Sequence, residues 1–215
     1  GSAEELHASG IWDLADRQYQ EMGLKLIAVF YDRNGFHMVL KEPLGDDALA
    51  GRRIRGTPLY HPVIEELGGS PAVLPAQEIY PALERGVVDG AGWPAVGAVN
   101  YRWFEVAGYF VRPTFGQVSH MLLMNLETWN GLDETTQSEI ETAARHYETV
   151  SSGIFDDLAA KEEATLVAEG MEATYFQEDI AANLKSAWFE GVLDLSATIN
   201  PEDIAEIRDM AAQAN

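Results

Sequence analysis

Apolar positions along this chain change period several times, and each change predicts an element. Over residues 3 to about 22, Leu6, Ile11, Leu14, Ala15, Tyr19 and Met22 recur at helical spacing, and Gly23 ends the run. Leu24 to Tyr31 is an apolar run of strand length. The Asn34-Gly35 turn leads to a second strand, Phe36 to Leu40, before Pro43 and Gly45 break the pattern. Arg52 to Thr57 reads as a strand closed by Pro58, followed by a short helix through Val63, Ile64 and Leu67. The pattern then repeats: strand Ala72-Val73-Leu74, helix around Glu78 to Glu84, strand Val87-Val88. An aromatic-rich helix is expected over 93–104, with Pro94 at its first position, and two strands near 107–112 and 117–125. Alternating strands and helices indicate an α/β fold with largely parallel pairing.

The most regular stretch begins at Asp133. Ile140, Ala144, Tyr147, Ser151, Ile154, Leu158 and Leu166 keep one face over more than 30 residues, which at ~1.5 Å per residue makes a helix of about 50 Å. Asp133 is placed to cap it. Ala144 and Ser151 make the seam too mixed for a coiled coil, so a spine under two lobes is the better reading. A strand near Met171 to Phe176, a helix through Leu184, Trp188 and Leu193, and a last helix after Pro201 complete the chain.

Composition narrows what these elements can do. The 215 residues hold 35 acidic and 14 basic side chains, for a net charge of −21. Such a surface repels nucleic acid and anionic lipid, so no nucleic-acid partner is expected. An anionic ligand would need a locally positive pocket. With no cysteine, disulfides, a thiol nucleophile and thiolate metal sites are ruled out. Gly1 and Ser2 read as the scar of a cleaved tag.

Candidate chemistry is sparse. His7, His37, His61, His120 and His146 lack ligand spacing, and no GxSxG, P-loop or GxGxxG frame occurs. No enzyme, cofactor or metal is expected. Arg52-Arg53-Ile54-Arg55 stands out, because alternation sends Arg53 and Arg55 to one face. An arginine at the carboxyl end of a strand lies where open α/β sheets place ligands, and its planar fork suits a carboxylate. A surface salt bridge is the plainer alternative, easily formed among 35 acidic residues. The second feature is Gly86-Val87-Val88-Asp89-Gly90-Ala91-Gly92-Trp93-Pro94, where Trp93 either walls a pocket or fills core.

In order, these segments resemble the solute-binding proteins of tripartite ATP-independent periplasmic (TRAP) transporters, the DctP-type family. The resemblance is carried by Leu49-Ala50-Gly51-Arg52-Arg53-Ile54-Arg55, by Leu67-Gly68-Gly69-Ser70-Pro71, by Glu78 through Gly90, by Glu105-Val106-Ala107-Gly108-Tyr109, and by Asn125, Trp129 and Leu132 before the long helix. It implies a two-lobed periplasmic-binding-protein-like α/β fold. Residues 1–54 would be the remainder of the N-terminal lobe with a crossing strand. Residues 55–125 would be the ligand-binding lobe with a returning strand, and 126–215 a spine helix and C-terminal helices. It further implies a periplasmic protein that captures a small organic acid and hands it to a membrane permease. Arg55 would form the salt bridge with the ligand carboxylate. Trp93 would shape specificity toward a 2-oxo, hydroxy or aromatic monocarboxylate. Thr57, Ala76 and Gln117 would line the same site.

Departures from the family pattern qualify this. Gly92 stands where metal-assisted members carry glutamate, which argues against a metal. His37 stands where many members carry an arginine and would either give a weaker or pH-dependent second contact or be a buried structural histidine. Ala76 replaces a larger aromatic and leaves room. Only 54 residues precede Arg55, fewer than in the family, so the first lobe is expected to be incomplete, and such a chain would either pair with a second copy or bind ligand poorly. The competing reading is a truncated or divergent TRAP-like domain acting as a ligand sensor or lobe-sharing oligomer.

Overall fold

The computed structural model describes residues 3–213; Gly1 and Ser2, read as a cleavage scar, lie outside the described residues. In chain order the elements are α1 (Ala3–Ala8), α2 (Ile11–Glu21), β1 (Leu24–Asp32), β2 (Phe36–Leu40), β3 (Arg53–Arg55), α3 (His61–Glu66), β4 (Ser70–Ala72), α4 (Ala76–Glu84), β5 (Gly90–Pro94), β6 (Tyr109–Arg112), β7 (Val118–Asn125), α5 (Leu126–Asn130), α6 (Glu134–Ala168), β8 (Glu172–Tyr175), α7 (Glu178–Ala197) and α8 (Pro201–Gln213). Contacts divide the chain into two compact units. One takes the chain up to Arg33, Val118–Asp156 and the residues from Pro201 on; the other takes Asn34–Gln117 and Asp157–Asn200.

In the first unit the expected helix over residues 3–22 is two helices. Gly10 separates them in the left-handed region, at φ 79°, a conformation glycine adopts without steric cost. β1 pairs antiparallel with β7, from Leu24 opposite Asn125 to Asp32 opposite Val118. A bulge between Leu26 and Ala28 interrupts strict alternation in β1, which feeds two apolar clusters. Ile27 and Ala28 pack with Trp129 and Ala144, while Leu26 and Val29 pack with Trp12. The long helix starts as expected: Asp133 Oδ1 accepts the Thr136 N–H at 3.0 Å. α6 is 35 residues long.

The second unit holds a six-stranded sheet in the order β4-β3-β5-β2-β6-β8. The pairs β3–β4, β3–β5 and β6–β8 are parallel. β2, which enters without a helical crossover, runs antiparallel to β5 and β6. The sheet is therefore mixed rather than largely parallel. On one face Val39, Ala91 and Phe110 pack with Ile79, Leu83, Trp103 and Leu166. Truncating a fully buried leucine such as Leu83 to alanine costs about 2–5 kcal/mol. Phe36, Tyr60, Phe115 and Trp188 form a second aromatic cluster, with ring centroids 4.9 Å apart for Phe36 and Trp188.

Two elements differ from the sequence pattern in a way that shapes the site. The central strand is Gly90–Pro94, whereas Val87 and Val88 lie in the turn before it. Strand packing demands glycine here, since a Cβ on Gly90 would meet Leu40 Cδ2 at 2.5 Å and the Val39 carbonyl at 2.6 Å. The helix expected over 93–104 is replaced by two short 3₁₀ turns, Val99–Tyr101 and Trp103–Glu105. Gly97 (φ 121°) and Arg102 (φ 57°) interrupt any continuous helix. Glu162 of α6 holds the first turn by accepting the Gly97 and Val99 N–H groups at 3.0 and 2.7 Å. Trp93 and Pro94 consequently end a strand instead of starting a helix.

Candidate functional site

Arg55 closes β3 in register with Ala91 of β5. Side chains alternate along a strand, so Arg55 shares a face with Ala91 and, two residues on, with Trp93. The guanidinium carbon lies 5.3 Å from the centre of the Trp93 ring, within cation–π range. Arg55 Nε donates to the Leu74 carbonyl at 3.0 Å, and Nη1 donates to the Gly92 carbonyl at 3.3 Å. Leu74 immediately precedes the Pro75-Ala76 start of α4, so a turn and a strand clamp the side chain together.

The electrostatic setting of Arg55 is unusual for so acidic a chain. The residue is 5% exposed. Burial is the largest influence on its pKa and lowers it, with Tyr60 and Tyr101 acting weakly the other way. Among the described residues none places a carboxylate within salt-bridge distance of it. A guanidinium offers five N–H donors, and carbonyls take two of them here. A buried, unpaired charge is costly. The surface ion pair that composition alone allowed is therefore not what Arg55 makes. Chemically, the arrangement can hold an anion.

Trp93 is half-buried and both walls and core describe it. Its ring meets Trp103 edge-on at 5.1 Å and Tyr101 at 5.4 Å, while Arg55 lies over it. His37 stands directly opposite Trp93 across β2 and β5, which places it on the same face. It is wholly buried. Burial first, and the nearby Arg112 charge second, hold its pKa down to about 3. The ring is thus neutral at physiological pH, so any contact it makes to a ligand is that of a neutral imidazole. Arg112 Nη1 donates to His37 Nδ1 at 3.3 Å. That leaves the ring proton on Nε2, a buried atom with no hydrogen-bond partner.

The other expected residues are less tied to this group. Thr57 is half-buried between β3 and the turn Pro58–Tyr60 and makes no side-chain cap. Ala76 is the first residue of α4. Gln117 is exposed and closes the second unit's middle stretch. Sequence reasoning missed Arg112 and Glu163. Arg112 Nε donates to Glu163 Oε2 at 3.1 Å, its Nη2 pairs with the same carboxylate, and its guanidinium lies 4.7 Å from the Phe110 ring. The signal was an arginine at the end of an expected strand, unreadable without knowing that this strand pairs with β2.

This fold and this arginine suit a protein that binds a solute without transforming it. The chain belongs to the DctP family of bacterial extracellular solute-binding proteins, family 7, whose pattern it matches over residues 2–194. It is 28% identical over 195 residues to the C4-dicarboxylate-binding periplasmic protein DctP of Rhodobacter capsulatus, covering 86% of this chain and 56% of that protein. It is 29% identical over 137 residues to a monocarboxylate 2-oxoacid-binding periplasmic protein of Nostoc, covering 61% of this chain and 37% of the relative. The crystal structure of a TRAP periplasmic solute-binding protein from Rhodoferax ferrireducens with bound malonate superposes with a TM-score of 0.82. It shares 17% identity, covering 99% of this chain and 69% of that one. The α/β fold with its long helix is that of the TRAP solute-binding proteins, which are transporter components and not enzymes. The chain spans just over half the length of the Rhodobacter relative. Among the described residues no helix is long and apolar enough to cross a membrane.

Proposed function

We propose that this protein is the periplasmic solute receptor of a TRAP transporter, that it captures a small organic acid by a salt bridge from Arg55 to the ligand carboxylate, and that it delivers the acid to membrane permease subunits. The observation that carries this reading is the buried guanidinium of Arg55, answered by two carbonyls and by no carboxylate of the described chain. A ligand carboxylate would supply the missing charge and accept from the N–H groups left over, in the planar geometry that arginine favours. Trp93 adds a flat apolar wall, which suits 2-oxo, hydroxy and aromatic acids. The relatives support the class of ligand, since their names give C4-dicarboxylates and 2-oxoacids.

Titration calorimetry of the full-length protein against a panel of organic acids tests this. At least one acid is expected to bind, and Arg55→Ala is expected to weaken it by about 30-fold to several thousand-fold, corresponding to a 2–5 kcal/mol penalty for breaking a buried charge pair. Binding of acids that survives Arg55→Ala unchanged would overturn the assignment.

A further inference from the structure

The second unit has a cavity away from Arg55. Arg55 ends β3, whereas this cavity lies beside the segments that lead into β3 and β4, residues 46–48 and 66–68. Its other side is the first half of α7. α3 and α7 pack closely at Pro62 and Gly191, where a Cβ on the glycine would lie 2.3 Å from the proline Cβ. Nearer the start of α7 a cavity of about 380 Å³ opens between them, within the size range of pockets that hold a partner group.

The floor of this cavity is apolar. Ile180, Leu184 and Ala187 follow the i, i+4, i+7 spacing of one helix face, and Ala48, Val63 and Leu67 line the other side. Ala48, Val63, Leu67 and Leu184 are buried. The rim is acidic. Asp46, Asp47, Glu66 and Asp179 are all exposed, and among the described residues no basic side chain lines the cavity. Asp46 Oδ1 accepts from Gln177 Nε2 at 3.1 Å. Among the described residues none of these carboxylates has an ion-pair partner.

Charge decides what fits there. A second copy of the chain, at net charge −21, would bring acidic surface to an acidic rim, and anionic lipid is repelled in the same way. A single metal ion does not match the arrangement either, since among the described residues no three carboxylates stand close enough to hold one. Carboxylates spread around an apolar floor match several cations carried on one backbone, each on an aliphatic stem. Lysine and arginine have this form, apolar along the stem and charged at the tip.

We propose that the cavity between α3 and α7 docks a basic segment of a partner protein, which lays an aliphatic side chain on the floor and pairs its lysine or arginine heads with Asp47, Glu66 and Asp179. The surface is separate from Arg55 and does not depend on the acid-binding reading.

Fluorescence anisotropy of a labelled peptide, Lys-Leu-Lys-Ala in three repeats, tests this on the full-length protein. The peptide is expected to bind, more weakly as salt rises, and a version with serine for leucine is expected to bind at least about tenfold more weakly. Asp47→Asn combined with Glu66→Gln is expected to weaken the leucine peptide by about tenfold or more. Glu127→Gln combined with Glu139→Gln, an equal change of charge in the first unit, is expected to weaken it by less than about twofold. Arg55→Ala should leave peptide binding unchanged, so failure of the acid-binding reading leaves this one standing. Circular dichroism checks that each variant is folded, and Asp179→Asn gives a second reading at the rim. Equal losses from the two double variants would show diffuse attraction. That result, equal affinity for the serine peptide, no measurable peptide binding, or binding of free cadaverine as tight as that of the peptide would each overturn the proposal.

Discussion

Glu148 in the first unit and Arg55 in the second are both nearly out of solvent, at 4% and 5% exposure, yet their surroundings answer them differently. Glu148 Oε1 accepts the Val29 N–H at 2.8 Å, Oε2 accepts from His7 Nε2 at 3.0 Å, and Arg145 Nη1 lies 3.6 Å away. Its own unit supplies a backbone donor, an imidazole and a cation. Arg55 receives two neutral carbonyls and no opposite charge. Both groups carry the mark of burial, which raises the Glu148 pKa and lowers that of Arg55. A charge matched on site ties α1, β1 and α6 together; a charge left open is what the proposed ligand carboxylate would answer.

Substitutions can break or sharpen this contrast. The largest effect belongs to ligand binding: Arg55→Met is expected to weaken acid binding by about 30-fold to several thousand-fold, as is expected of Arg55→Ala, while leaving the unfolding midpoint of the ligand-free protein unchanged or higher. Removing a buried charge that has no opposite charge beside it relieves its desolvation cost. A clear drop in the midpoint would show that Arg55 is structural. Glu148→Ala should do the reverse, costing up to about 3 kcal/mol in denaturant unfolding, because it strands the buried Val29 N–H and the His7 donor, with little change in binding.

His37 supplies a pH test of about 2 kcal/mol. Its folded pKa of about 3 lies below the usual ~6.5, so the unfolded chain binds the proton more readily. The stability it contributes is complete above about pH 6.5 and is lost as the pH falls toward 3. Between pH 6.5 and 5 the loss is about 2 kcal/mol. Unfolding curves at the two values should show it, and His37→Gln should remove that share of the slope. The smallest effect is expected at Arg33 and Asp156, a pair 2.8 Å apart whose side chains are 54% and 45% exposed. Arg33→Ala should shift stability by no more than about 0.5 kcal/mol, and less in high salt.

Legibility in the sequence followed locality. The long helix, its Asp133 cap, the first strand and the helices around Ile79 and Leu184 could be read from period and capping alone. The residues 93–104 could not. Pro94 and the aromatics beside it suit a helix start, but Gly97, Arg102 and the Glu162 carboxylate from α6 fold them into short turns. The strand at Gly90–Pro94 was hidden for a related reason. Its glycines serve the close approach of β2 and β3, not any local strand preference. At the site, Arg55 and Trp93 could be singled out from a strand end and a glycine-rich turn. Arg112 could not, since its partners come from β2 and α6.

By itself, then, the sequence determined the family and the α/β class, and singled out the arginine on which the proposed binding rests. These are written in short contiguous motifs and in the periods of single elements. Only the tertiary structure decided that Arg55 is buried without a carboxylate, that His37 is neutral, that Trp93 and His37 are cross-strand partners, and that Arg112 reaches His37. Strand order and register join residues far apart in the chain, and nothing in the local pattern of a strand states which partner it will meet. The balance of charge around each buried group depends on that pairing, and so does its chemistry.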